Sequence, residues 1–422
     1  MTDIFPKKTY LNGSDCFHLM MEHNRQLVKE GNNQIVYCIE FQNEEGLRKI
    51  IDKIQDSPFL YWLNNCKIVE PQIGVPYLLK TKSDKEVLIE QYGEVNEQFP
   101  HVLLNKTLQI KQHQFFQFYT YQFQSNHFLM IALHHVLFDG KGAGLFIEHI
   151  KGDLIFTPEN IGQFFPKRLK WKNAWSQWKN LIYVKKTVER TNKGKTAYLK
   201  KEFLDETGFS LLTHKFSENE MNLIQENAKQ NGVRFGINLY QIACICKVFR
   251  ELLTEKNDIW LPVPYNGRKR GSKGTIISNY TSFIFHRLKV DEYTTIAEIV
   301  SQLQAQMNAQ IADELPTKYN NLLQLMRFFP TWFNHLVTTK SSKGNIASFL
   351  YSSTEMQEQK NESDFKNEWI IPPFSFPPGL TINFHSQNKF LNFNIVYSNI
   401  VLDHEKAMQL KKRLISQMLE TN

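Results

Sequence analysis

No apolar run in this 422-residue chain comes near the ~18 residues needed to cross a bilayer, and the opening MTDIFPKKTY lacks the layout of a signal peptide. The expectation is therefore a cytoplasmic protein. Cysteine is scarce: five residues, an odd number, stand far apart at positions 16, 38, 66, 244 and 246. That pattern argues against a disulfide framework and predicts reduced, buried thiols. Zinc-finger, RNA-recognition and basic-zipper spacings are missing, and most of the aromatic residues fall in apolar runs rather than among lysines. Nucleic acid is not an expected partner, although a formal charge of +8 and a pI near 9.0 favour anionic ones.

What the chain has in quantity is apolar material, with 42% hydrophobic residues and 32 phenylalanines. At 49.7 kDa it is too long for one ordinary core, so two lobes are expected. The stretch the rest serves is HHVLFDGKGAG, His134 to Gly144. It follows the apolar run HFLMIAL, whose length and β-branched and aromatic content suit a buried strand. Side chains alternate along a strand, so His134 and His135 cannot face the same cavity; one is free to work and the other to pack. Asp139-Gly140 signals a turn, and GLFIEHI carries an apolar helical stripe, giving strand, tight loop and helix. A histidine ending an apolar strand is usually structural. Metal ligation is disfavoured, since adjacent strand histidines diverge and no His-x-x-x-His or Cys-x-x-Cys lies nearby. GKGAG has neither GxGxxG spacing nor the Gly-Lys-Ser/Thr ending of a phosphate loop, and no GxSxG elbow for a serine acyl-enzyme exists.

HHxxxDG followed by GxG resembles the active-site signature of the chloramphenicol-acetyltransferase-like superfamily, which includes condensation domains, plant BAHD acyltransferases, wax ester synthases and related alcohol acyltransferases. A second stretch, NGRKRGSKGTIISNYTSFIFHRL from Asn266 to Leu288, is similar to the N-x-R-x-R and GNxxSxxxxxL pattern of the ester-forming branches. Ser278 stands where those branches usually have glycine. The resemblance implies an α/β fold of two lobes, each a mixed sheet covered by helices, with a solvent channel between them. It implies His135 as general base, a structural role for Asp139 and a salt bridge from Asp139 to Arg268. Asn279 and Ser282 are expected to line the reaction chamber, with His134 counted beside them on the substrate side. The developing oxyanion would be met by a backbone amide near Gly140 or by the side chain of Asn279 or Ser282.

The implied activity is direct acyl transfer from a thioester to an alcohol or amine, ester formation being favoured, with no permanently bound cofactor and no metal. Acyl-CoA or a phosphopantetheine-linked acyl-carrier protein would be the donor, and either suits the basic surplus. Two alternatives stay open: amide formation between carrier-bound substrates, and a non-catalytic scaffold, against which the intact motif weighs.

Along the chain, residues 1–165 are read as the first lobe, 166–201 as a basic crossover and 202–422 as the second lobe. The crossover holds twelve lysines and arginines, and Trp171, Trp175, Trp178 and Ile182 recur in it at helical spacing. Such a helix either packs its tryptophans between the lobes, the simpler reading, or rests on a membrane surface. Ser217 with Glu220 spells a capping box, Ile237 to Leu253 reads as a buried helix, and NEWIIPPFSFPP cannot be a central strand throughout.

Overall fold

The computed structural model describes residues 5–72, 74–154, 160–161, 171–191, 194–199, 208–253, 255–268, 275–291, 294–342, 347–355, 365–387 and 390–420. The first half runs β1 (Lys8–Tyr10), α1 (Gly13–Val28), β2 (Gln34–Phe41), α2 (Glu44–Gln55), α3 (Pro58–Asn64), β3 (Cys66–Val69), β4 (Tyr77–Lys80), β5 (Ile89–Glu94), α4 (His101–Leu104), β6 (Phe116–Phe123), β7 (Asn126–His134) and α5 (Gly140–Lys151). After α6 (Trp171–Thr191) come β8 (Phe209–Phe216), α7 (Glu218–Gln230), α8 (Asn238–Glu251), β9 (Ile259–Asn266), β10 (Thr281–Leu288), α9 (Ile296–Ala312), α10 (Leu315–Met326) and α11 (Thr331–Ser342). The chain closes with β11 (Leu350–Glu355), β12 (Phe365–Ile371), β13 (Leu380–Gln387), β14 (Phe390–Ser398) and α12 (His404–Leu419).

Two mixed sheets organise these elements. One has the order β12-β2-β7-β6-β5, the other β11-β13-β14-β8. Each contains one parallel pair, β5 with β6 and β11 with β13. The hairpin that delivers the histidines forms because Gln124 and Ser125 both take positive φ, 48° and 64°, the geometry a two-residue hairpin turn requires. Its β7 strand is central and almost wholly buried, as an apolar run without alternation requires. One face of the first sheet packs with α2, α3 and α5 into a core around Leu129, Ile131, Leu133 and Phe146. The other face, through Val36, Tyr119 and Met130, meets Phe209 and Val396 of the second sheet. A separate core in the second half buries α8 and α12 around Cys244, Phe249, Phe393 and Leu414. All five cysteines are free and buried. The Ser217 capping box forms as spelled, with Ser217 Oγ accepting from the Glu220 amide and the Glu220 carboxylate from the Ser217 amide.

Two features differ from the sequence reading. First, β12 lies within 202–422 yet pairs antiparallel with β2 through six residue pairs, from Phe365–Phe41 to Ile371–Val36. The chain leaves the second sheet after β11, forms an edge of the first, and returns as β13. Pro372 and Pro373 end β12, which suits an edge position. Second, the crossover helix α6 turns its tryptophans outward: Trp175 and Trp178 are 67% and 54% exposed, and Ile182 is also exposed. Its packed side is Val184 and Thr187 with Tyr183 and Val188, set against Trp260, Phe285 and Leu315. A second apolar stripe half a turn away outcompetes the tryptophans for the protein surface. The Trp171 side chain lies outside the described residues, as does the basic loop 269–274. No helix among the described residues is long and apolar enough to cross a membrane.

Candidate active site

His135 follows the last residue of β7, and its amide donates to the Asn33 carbonyl at 2.8 Å, continuing the strand by one bond. Its Nδ1 lies 2.7 Å from the Phe138 carbonyl. A carbonyl only accepts, so Nδ1 carries the proton and Nε2 keeps its lone pair. That Nε2 makes no hydrogen bond among the described residues, and the side chain remains partly exposed. Burial lowers the His135 pKa below the usual imidazole value, against the opposing pull of Asp139 and the Phe138 carbonyl. The neutral form of the ring is therefore favoured.

His134 is turned the other way, as strand alternation demands. It is 2% exposed, accepts the Val136 amide on Nδ1 at 3.2 Å and sets Nε2 3.6 Å from Glu22 Oε2. Burial would raise the Glu22 carboxyl, but His134 and Arg25 outweigh it and bring the carboxyl down to about 2. His134 is thus a buried packing residue beside Glu22 and is not among the residues bordering the cavity described below.

Asp139 caps α5. Its Oδ1 accepts the Gly142 amide at 2.8 Å, while Arg268 grips both carboxylate oxygens at 2.6 and 2.9 Å. The Tyr280 amide adds a bond at 2.9 Å to Oδ2. Both side chains of the pair are under a tenth exposed. Arg268 also donates to the Ser278 carbonyl at 3.1 Å and lies over the Tyr280 ring. The loop after β7 and the loop between β9 and β10 are thereby clamped together. Gly142 is needed for that contact, since a Cβ there would fall 2.4 Å from the Ile276 carbonyl oxygen.

Neither Asn279 nor Ser282 is among the residues bordering the cavity described below. Asn279 is fully buried, and its amide nitrogen lies within 3.0 Å of Asp15 Oδ1 and the carbonyls of His135 and Val136. Ser282 Oγ donates to the Pro316 carbonyl at 2.7 Å, in the first turn of α10. Both side chains spend their donors holding backbone together, so neither is free to meet an oxyanion. Ser278 keeps the conformation glycine would favour, with φ at 130°, its amide bonded to the Leu137 carbonyl.

One face of α1 completes the site and was not assigned from sequence. Asp15, His18 and Glu22, one to two turns apart, touch in order the Asn279 side chain, the His135 ring and His134. The signal was present as three titratable residues at helical spacing in an otherwise apolar stretch. Asn12 and Asp15 also form a capping box that fixes where this helix starts. Burial pushes the Asp15 carboxyl up to about 7, partly offset by hydrogen bonds from the Asn279 and Asn12 amides.

A cavity of about 560 Å³ opens between the halves, bordered by Asp139, Gly140, Lys141, Arg268, Tyr280 and Thr354 among others. It reaches the clamped loop; His135 is not among the residues lining it. Lys151 and Glu368 pair on its wall. No cluster of side chains suited to a metal ion occurs among the described residues.

No family model matches the sequence, and no curated protein matches it either. Solved structures do match along the whole chain. The TRI3 trichothecene 15-O-acetyltransferase of Fusarium sporotrichioides superposes with a TM-score of 0.68 at 11% identity, over 98% of this chain and 95% of that one. The first condensation domain of the calcium-dependent antibiotic synthetase, with a bound substrate analogue, gives 0.65 at 12% identity over 98% and 96%. Polyketide synthase associated protein 5 of Mycobacterium tuberculosis gives 0.63 at 10% identity over 97% and 99%. The chain thus has the two-lobed α/β fold of these solved acetyltransferase and condensation-domain structures.

Proposed function

We propose that the protein is an acyltransferase that moves an acyl group from a thioester, acyl-CoA or an acyl-carrier protein, directly to an alcohol or amine, with His135 as the base. The observation that carries the reading is the pinned Nδ1 of His135. With Nδ1–H held by the Phe138 carbonyl at 2.7 Å, the ring presents a lone pair on Nε2 from a fixed orientation. As the acceptor's oxygen or nitrogen bonds to the thioester carbon, its proton passes to Nε2. When the carbon–sulfur bond breaks, that proton goes to the departing thiolate. Atoms and charge balance without an enzyme-bound intermediate, and a correctly placed base supplies about 10²- to 10⁴-fold. The Asp139–Arg268 clamp holds the loop and transfers no proton. With Asn279 and Ser282 committed to structural bonds, the remaining oxyanion donors are backbone amides at the start of α5, near Gly140. The cavity beside the clamped loop, which His135 does not line, has a charged wall that suits the phosphate- and amide-bearing arm of a donor, with the reacting carbon lying beyond it toward His135.

The test is a mass-spectrometric screen of acyl-CoAs and acyl-carrier proteins against mixed alcohols and amines, run with the wild type and with His135→Ala. Product that vanishes in the variant supports the reading, and its mass separates ester from amide. A product formed equally by the two proteins would refute His135 as base.

A further inference from the structure

We propose that His18 is a positioning residue for His135: its imidazole, laid against the face of the base, holds that ring in one orientation and keeps water from it. The inference rests on His135 being the base. The ring centroids lie 3.8 Å apart with the planes 25° from parallel, a stacked contact between residues far apart in sequence. Nδ1 of His135 is fixed by the Phe138 carbonyl, but one hydrogen bond leaves the ring free to rock about it. The stacked face of His18 removes that freedom.

His18 is itself held firmly. It sits in α1 between Asp15, which accepts from Asn279, and Glu22, which faces His134, and the Asn33 side chain donates to its carbonyl at 3.0 Å. Asn33 is also the residue whose carbonyl receives the His135 amide, so one short segment ties both histidines. Phe17 meets the His18 ring edge-on at 5.4 Å. The residue is 6% exposed and its Nε2 is buried without a hydrogen-bond partner among the described residues. Such an imidazole stays uncharged, because a proton on it would find no acceptor. A neutral, dry ring against His135 favours a neutral base too. The other charged or titratable groups around His135 are His134 on its own strand, Asp139 with Arg268 from the loop ahead of α5, and Asp15, which acts through Asn279. Glu22 lies one step further out, behind His134.

A residue that merely filled space could be changed without altering how His135 titrates. The experiment compares full-length wild type with His18→Ala and His18→Phe. It follows the His135 ring nitrogens by NMR across pH, and kcat and KM across pH with substrates from the screen. In the alanine variant the His135 midpoint should move up toward 6.5 as water reaches the ring. Its kcat should fall about ten- to a hundred-fold with KM little changed, the scale expected when a reacting group is misplaced. Phenylalanine, which restores a flat apolar face, should bring back the midpoint and much of the lost kcat. An unmoved midpoint in the alanine variant overturns the proposal. So does a phenylalanine variant with a restored midpoint and no recovered turnover, which would make His18 a proton carrier. Should alanine prevent folding, His18→Leu provides the same comparison. The NMR arm needs no substrate. A shifted midpoint alongside an active His135→Ala enzyme would retain the stacking effect while refuting the base.

Discussion

Removing either member of the Asp139–Arg268 pair should destabilise the protein far more than losing one surface ion pair would. The carboxylate accepts four hydrogen bonds, two from Arg268 and one each from the Gly142 and Tyr280 amides. Asp139→Ala strands the buried guanidinium, which costs about 3–5 kcal/mol, and deletes the N-cap of α5, worth about 1 kcal/mol more. Arg268→Ala should cost less, about 3 kcal/mol, because the stranded carboxylate keeps its two amides. The double variant strands neither charge. Its loss should fall short of the sum by roughly 3 kcal/mol, near the top of the range measured for interacting pairs. Urea unfolding of the four proteins, followed by tryptophan fluorescence, gives the coupling directly. Losses that add to within about 0.5 kcal/mol would show that the clamp contributes nothing as a pair. Asp139→Asn keeps one acceptor oxygen but turns an NH₂ toward a donor, so it should fall between wild type and alanine.

Three further outcomes follow from the site. Because burial lowers the His135 pKa, the acid limb of kcat/KM should have its midpoint below the usual imidazole value of 6.5; a midpoint at or above 6.5 contradicts a neutral, desolvated base. Ser278→Gly should raise the urea midpoint, since relief of about 1–3 kcal/mol of backbone strain exceeds glycine's entropic cost of about 0.5–1 kcal/mol and the loss of two Oγ contacts at 3.4 Å; a lowered midpoint would mean that serine is the better fit at this φ. Asp15, raised by burial to about 7 from 3.8, keeps a proton in the folded state that the unfolded chain has lost, so its contribution to stability is complete below 3.8 and disappears as pH rises through 7. Asp15→Asn should flatten that part of the stability–pH curve, and a slope left unchanged by the substitution would place the titration elsewhere.

The parts of this fold that were legible in the sequence are those written locally. The β6–β7 hairpin, the loop after it, the Ser217 capping box and the buried α8 each depend on residues within a few turns of one another. The pairing of Asp139 with Arg268 was readable only through the resemblance, since 129 positions separate them. Alternation along β7 separated the two histidines but could not say what His134 would meet, because Glu22 arrives from another element. The partners of Asn279 and Ser282 were hidden for the same reason: a polar residue beside a motif looks like a ligand contact until the carbonyls that consume its donors are known. On α6 the sequence offered two apolar stripes, and only the position of α10 decided which was covered.

The exchanged strand β12 bears on how anything gets in or out. The two halves are stitched, because part of the second half completes the first half's sheet, and β2 would be left as a long apolar open edge without it. Parting the halves like a clamshell would unzip six ladder pairs, so the cavity between them must be entered from its mouth. Expressing either half alone, split at the crossover, would yield one fragment missing a strand and another carrying a strand with nowhere to pair, and both should aggregate.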